Sequence, residues 1–353
     1  MAHTRSGQSD PFNITRRSVC RGVAGVVMSL AIPPSMADTR ALPVLYADAR
    51  LGRYGFGHGH PFGVDRQAHF VTEAKRQSLL EKVDTRGGRL ATREELRRFH
   101  TAEYIAKVEA AEAAGQTALD GGDTPVFPEV FAISSYVVGT ALQALEAVMD
   151  GGVKRTLQPI GGLHHAARTH ASGFCVFSDL GVVIETLRSQ YRLKRIAYID
   201  IDVHHGDGVF YAFEDVPEVI FADIHQDSRT LFPGTGRADE TGQGAARGTK
   251  LNIELPPWSG DDAFMSAWRK VEAHLERYKP EMFLLQCGAD GLKGDPLAQL
   301  EYTPKVHAYA AARLCALANQ YAQGRLMAFG GGGYDRVNLA QAWCEVLRAE
   351  IDA

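Results

Sequence analysis

The chain has 353 residues, 45% of them hydrophobic, with 36 glycines and a formal charge of −4. That length allows one large α/β domain or two small ones around a sizeable core, and the absence of a basic stripe argues against partners held through a nucleic-acid phosphate backbone. The five cysteines, Cys20, Cys175, Cys287, Cys315 and Cys344, form no CxxC pair, so neither a sulfur zinc site nor a disulfide framework is legible.

At the N-terminus, Thr15-Arg16-Arg17-Ser18-Val19 precedes an apolar run from Gly22 to Ile32, and Pro33-Pro34-Ser35-Met36-Ala37 then reads as a small-x-small cleavage site. The pattern is similar to a twin-arginine export signal. The apolar run is too short to cross a bilayer as a helix. Residues 1–37 are thus expected to be a removable signal, residues 38–353 a single domain, and the mature protein exported or periplasmic. Removing residues 1–37, which carry four arginines and one aspartate, leaves a formal charge of −7. The alternative is an N-terminal extension holding a chance Arg-Arg pair, with the protein in the cytoplasm.

Leu42 to Tyr46 is a short strand candidate, and the glycine-rich stretch Arg53 to Gly63 should be a loop in which His58 and His60 take rim or structural roles. Helical spacing covers residues 65–81 and 92–114, the second opened by the capping-box pattern Thr92-Arg93-Glu94-Glu95. A turn cluster around Asp123 follows, and Pro128 opens a helix reaching about Met149. From there strands and helices alternate. The strand candidates are residues 155–159, 195–200, 218–223, 250–255, 281–286 and 325–329; the helical stretches are 180–191, 261–278, 303–321 and 339–351. This alternation predicts right-handed crossovers and a mostly parallel central sheet with helices on both faces.

The chemistry concentrates where these strands end. In Tyr198-Ile199-Asp200-Ile201-Asp202-Val203-His204-His205-Gly206-Asp207-Gly208, Asp200, Asp202 and His204 share a parity and emerge together as the strand frays. Asp202 and His204 supply a carboxylate and an imidazole to a divalent ion, and a catalytic zinc takes three protein ligands. Asp290, just past the apolar run 282–287, is the best third ligand, because sites in an open parallel sheet form beyond the carboxyl ends of the strands. The donor set suits zinc and could accept iron(II) or cobalt. In Gly161-Gly162-Leu163-His164-His165, the adjacent histidines could be a zinc pair or an acid/base pair; acid/base work is favoured, with Asp200 and Asp207 as partners. The run Gly330 to Gly333 lacks the residues that make a phosphate cradle, which leaves Tyr334 as a candidate oxyanion donor. Phe174 follows Gly173, and Phe232 precedes Pro233-Gly234; together they could wall a narrow slot or simply pack in the core.

Taken together, GGLHHA, ASGFC, YIDIDVHHGDG, LFPGTG, LQCGADGLKGDP and GGGGYD, in this order and spacing, resemble the histone deacetylase and acetylpolyamine amidohydrolase family over residues 42–350. The resemblance implies a three-layer arginase-like α/β fold and zinc-dependent hydrolysis of an acetylated amine. It implies Asp202, His204 and Asp290 as zinc ligands, and His165, in a dyad with Asp207, as general base and then general acid. It further implies that His164, paired with Asp200, stays electrostatic, and that Tyr334 binds the oxyanion. Asp123, Gly173, Phe174, Phe232 and Leu297 would contact the substrate, Arg66 would line an acetate channel, and a structural potassium ion would sit near Asp200, Asp202, His204, Asp223 and Ile224. Where polyamine-preferring relatives place an acid, this chain has Leu297 after Gly294-Asp295-Pro296. That difference favours an acetyl-lysine-like or other neutral-chain substrate, either a small molecule or a peptide. Two alternatives are a two-manganese ureohydrolase of arginase type and a non-catalytic acyl-group binder.

Overall fold

The computed structural model describes residues 41–57 and 59–353. The expected export signal, Cys20 and His58 lie outside the described residues. Residues Ala41–Ala353 form one compact unit built on an eight-stranded sheet in the order β2-β1-β3-β8-β7-β4-β5-β6. The strands are β1 (Val44–Tyr46), β2 (Asp84–Arg86), β3 (Arg155–Gln158), β4 (Ile196–Asp200), β5 (Val219–Gln226), β6 (Lys250–Leu255), β7 (Met282–Gln286) and β8 (Leu326–Phe329). Every pairing is parallel.

Alternation along each strand divides the core into two layers. Ile196 and Tyr198 of β4, Phe221 of β5, Leu284 of β7 and Phe329 of β8 face one side. They pack there against α3 (Ala102–Ala111), α4 (Val130–Met149), α5 (Asp179–Ser189) and α6 (Asp207–Phe213). Ala197 and Ile199, Ala222, Leu285 and Ala328 face the other side. Their partners are α1 (Arg66–Arg76), α7 (Asp261–Tyr278), α8 (Lys305–Tyr321) and α9 (Arg336–Asp352). Burial on both faces is why these strands read as apolar runs rather than alternating ones. α4 is long and apolar enough to cross a membrane, but 78% of its most apolar stretch is buried against the sheet and α5, which marks it as a core helix.

Local structure departs from the sequence reading in three places. The helical stretch 92–114 is broken into α2 (Arg93–Leu96) and α3. Thr92 does cap α2 through a reciprocal box with Glu95, but Thr101 starts a second helix by accepting the Tyr104 N–H. Also unforeseen are β2, whose residues are partly exposed and too polar to read as a strand, and α6, which begins inside the acidic motif itself.

Register matters most for function. Asp200 pairs with Gln286 and with Asp223, Gln286 with Phe329, and Phe329 with Gln158. The four neighbouring strands β3, β8, β7 and β4 therefore finish in one row, β5 runs on to Gln226, and the loops that follow these five strands rise from a single edge of the sheet.

Candidate active site

Each of those five loops delivers chemistry-bearing side chains. Asp202, His204 and Asp290 each offer one ligand atom, and the three atoms lie within 4.8 Å of one another, all buried. His204 Nδ1 is 3.1 Å from Asp202 Oδ1 and 3.2 Å from Asp290 Oδ2. The second oxygen of each carboxylate is already engaged. Asp290 Oδ1 accepts the Val203 N–H at 3.0 Å, and Asp202 Oδ2 accepts Gln286 Nε2–H at 2.9 Å and the Gly332 N–H at 2.8 Å. Asp290 Oδ2 is left buried with His204 Nδ1, 3.2 Å away, as its only polar neighbour of note. Burial alone would lower the His204 imidazole, yet Asp202 and Asp290 push it up to about 10. Two buried carboxylates that would otherwise hold a proton on an imidazole form a site made for a cation, and a metal ion would compete with that proton. The residues present thus fit a divalent metal. Among the described residues no other cluster of three such donors occurs.

The paired histidines meet different carboxylates. His164 Nδ1 lies 2.8 Å from Asp200 Oδ2, an oxygen that also accepts the Tyr198 hydroxyl. Asp200 ends β4 on the Tyr198 face, which is why it meets His164 rather than joining the trio two residues on. Burial beside Asp223 and Asp202 pushes the Asp200 carboxyl well above its ordinary range. His165 Nδ1 lies 2.6 Å from Asp207 Oδ1. Burial first, and neighbouring His164 second, hold the His165 imidazole below 6.5 against the pull of Asp207. It is therefore neutral near pH 7, with Nε2 free to accept a proton.

A cavity of about 220 Å³ connects these groups to solvent, lined by Asp123, His165, Gly173, Phe174, His204, Leu231, Phe232, Leu297 and Tyr334. All five residues expected to contact substrate lie on its wall. Phe174 is held at φ +68, a costly conformation for a bulky residue. Thr124 Oγ1, accepting the Phe174 N–H, and the Tyr54 hydroxyl, donating to the Phe174 carbonyl, fix it there. At Gly173 a side chain is excluded, since a Cβ would lie 2.4 Å from His165 Cδ2. The Tyr334 hydroxyl shares the cavity with His165 and His204, and burial together with Asp290 and Asp202 raises its pKa well above 10, so it stays a proton donor. Arg66 is fully buried and donates to the carbonyls of Gly331 and Gly333. His60 packs edge-on against Phe174 and lies 3.4 Å from the Asp123 carbonyl, on the rim.

Several supporting residues escaped the sequence reading. Asp179 accepts the N–H groups of Gly162 and Leu163 and so orients the turn carrying both histidines. Gln286 steadies Asp202. The only trace of Asp179 in the sequence is its place at a helix start, and Gln286 reads as nothing more than a strand end.

Comparison with known proteins agrees with this geometry. A histone deacetylase domain model matches residues 60–350. The acetoin utilization protein AcuC of Bacillus subtilis is 38% identical over 303 residues, covering 83% of this chain and 78% of that protein. Histone deacetylase RPD3 of Saccharomyces cerevisiae is 32% identical over 325 residues, covering 89% and 72%. The crystal structure of an HDAC homolog complexed with SAHA superimposes with a TM-score of 0.80 at 31% identity, over 89% of this chain and 84% of that one. The fold and site define an α/β hydrolytic enzyme with a buried trio of side chains able to hold a metal ion. The chain belongs to the histone deacetylase family and is a deacetylase.

Proposed function

We propose that the enzyme is a zinc-dependent amidohydrolase that cleaves an acetylated amine into acetate and the free amine. The observation that carries this reading is the Asp202, His204 and Asp290 trio at one end of a narrow cavity that also exposes His165 and Tyr334. A zinc ion held by the trio would supply Lewis acidity and a water whose pKa falls towards ~7. The walls of Phe174 and Phe232 admit a slender acyl-bearing chain and shut out bulk water, while Asp123 at the wall offers a carboxylate to polar groups at the mouth. His165, neutral and oriented by Asp207, takes the proton of the attacking water and returns it to the departing amine nitrogen. His164, tied to Asp200, keeps its place beside the trio without exchanging protons with substrate. The Tyr334 hydroxyl donates to the carbonyl oxygen as negative charge develops, a contribution of roughly 3–4 kcal/mol for a preorganised donor. Leu297, where an acid would attract a second ammonium, supports an acetyl-lysine-like or other neutral-chain substrate over a polyamine.

The test is acetate release from acetyl-lysine peptides and acetylpolyamines by protein of measured metal content. No release from any acetylated amine, or full activity in Tyr334→Phe and His165→Ala, refutes the proposal. Metal content also decides between zinc and iron(II). A structural potassium ion near Asp200, Asp202, His204, Asp223 and Ile224 is part of the same reading, supported by the full burial of the Asp200 and Asp223 carboxylates. It predicts that replacing potassium with a larger organic cation lowers the melting temperature. Export through a twin-arginine route, supported by Arg16-Arg17 ahead of the apolar run, predicts that Arg16-Arg17→Lys-Lys retains the protein inside the cell; unchanged fractionation refutes it.

A further inference from the structure

Asp295 is a residue that the motif reading treats only as a spacer before Leu297. Its carboxylate is buried, with 6% of the residue exposed, and both oxygens are used. Oδ1 accepts the Leu297 N–H at 3.0 Å. Oδ2 accepts the Tyr334 N–H at 2.8 Å and, more weakly, the Asp335 N–H at 3.4 Å. One carboxylate thus joins two loops 39 residues apart at their point of contact, one carrying a cavity-wall residue and the other the hydroxyl donor.

Tyr334 is restrained from its other side as well. Its carbonyl accepts Arg336 Nη1–H at 2.9 Å, and the same nitrogen donates to the Pro61 carbonyl at 3.0 Å, while the rest of the guanidinium is held by Asp65. The glycines ahead of Tyr334 are held through their carbonyls by Arg66. These contacts fix the backbone on both sides, but only Asp295 ties the Tyr334 N–H to the wall of the cavity. The glycine run before Tyr334 has no Cβ to narrow its torsions, with Gly331 and Gly333 at φ +69 and +114, so the position of the side chain depends on such ties.

We propose that Asp295 is a positioning residue that sets Tyr334 and Leu297 as one unit, so that the wall contacting the substrate chain and the donor contacting the carbonyl oxygen are placed together. This rests on the reading of Tyr334 as the oxyanion donor. An amide in place of the carboxylate can accept on one side only and turns an N–H toward the other loop, so Asp295→Asn separates the pair with little change in volume. A misplacement on the order of 1 Å near the chemistry costs about 100-fold.

The experiment is a double-mutant cycle on the metal-loaded full chain with an acetylated-amine substrate, using Asp295→Asn, Tyr334→Phe and the double variant. Asp295→Asn is expected to lower kcat by roughly 10- to 100-fold with metal content unchanged, and to lose less than about 3-fold further in the Tyr334→Phe background. Amide hydrogen exchange should rise in segments 295–299 and 330–336 and stay as in the parent elsewhere. Multiplicative losses in the double variant overturn the proposal while leaving Tyr334 in its role. So does unchanged exchange in both segments. A fully active Tyr334→Phe enzyme overturns the oxyanion reading, and this inference with it.

Discussion

Gly332→Ala tests whether the trio is a site shaped around one ion. A methyl on Gly332 would lie 2.0 Å from Asp290 Oδ2 and 2.8 Å from Asp202 Oδ2, where an ordinary contact needs about 3.5 Å. The shortfall at Asp290 is on the order of 1.5 Å. Retreat of both carboxylates is restrained. Asp290 Oδ1 is held by the Val203 N–H, and Asp202 Oδ2 by Gln286 and by the Gly332 N–H itself. The Gly332 carbonyl in turn accepts the Ala289 N–H at 3.1 Å. Gly332 is not among the residues with left-handed backbone, so alanine brings no torsional strain, only this collision. Overpacking of this kind costs about 1–3 kcal/mol of stability. Displacing two ligand carboxylates should weaken metal binding by roughly 10- to 100-fold and lower kcat/KM by about 100-fold or more. The assay is titration of purified full-length protein against a competing chelator, with Gly57→Ala as the control, since nothing lies within 4 Å of a Cβ there. A wild-type chelator midpoint for Gly332→Ala refutes the reasoning.

Three further outcomes are expected. Because His165 acts only when neutral and burial holds its pKa below 6.5, kcat/KM should fall only as pH drops below that value; Asp207→Asn, which removes the carboxylate that raises it, should move this acid limb lower still, and a limb moving upward in the pH–rate profile contradicts the dyad. Glu350 is buried with both carboxylate oxygens unpaired and its pKa pushed up to about 8 from 4.5. The folded state therefore keeps a proton that the unfolded chain releases, and stability should decline between about pH 4.5 and 8 by up to about 1.4 kcal/mol per unit; thermal melts of Glu350→Gln should lose that slope. Trp258 sits at φ +71 with 62% of its surface exposed, so Trp258→Gly should gain about 1 kcal/mol by relieving the left-handed backbone, and a lower melting temperature would mean that the ring makes contacts worth more than that strain.

Much of the site was legible because its parts are local. The parity of Asp202 and His204, the adjacency of His164 and His165, and the alternation of apolar runs with helical spacing are written in neighbouring residues, and each follows from backbone periodicity alone. The candidate pair Asp202 and His204 and the layered parallel architecture were therefore available without coordinates.

The relations between strand tips were not local. Asp200 and Asp202 share a parity and a composition, yet one braces His164 and the other faces His204, because β4 stops at Asp200 and the chain turns before Asp202. The Asp295 tie to Tyr334, the Asp179 cradle under the histidine turn and the steric demand for Gly332 all depend on which loops the strand order makes neighbours. Sequence by itself determined which side chains stand at the ends of strands, since a period of two or 3.6 residues acts within a few residues. Only the tertiary structure decided which of those ends meet, since that is set by the order and register of strands far apart in the chain.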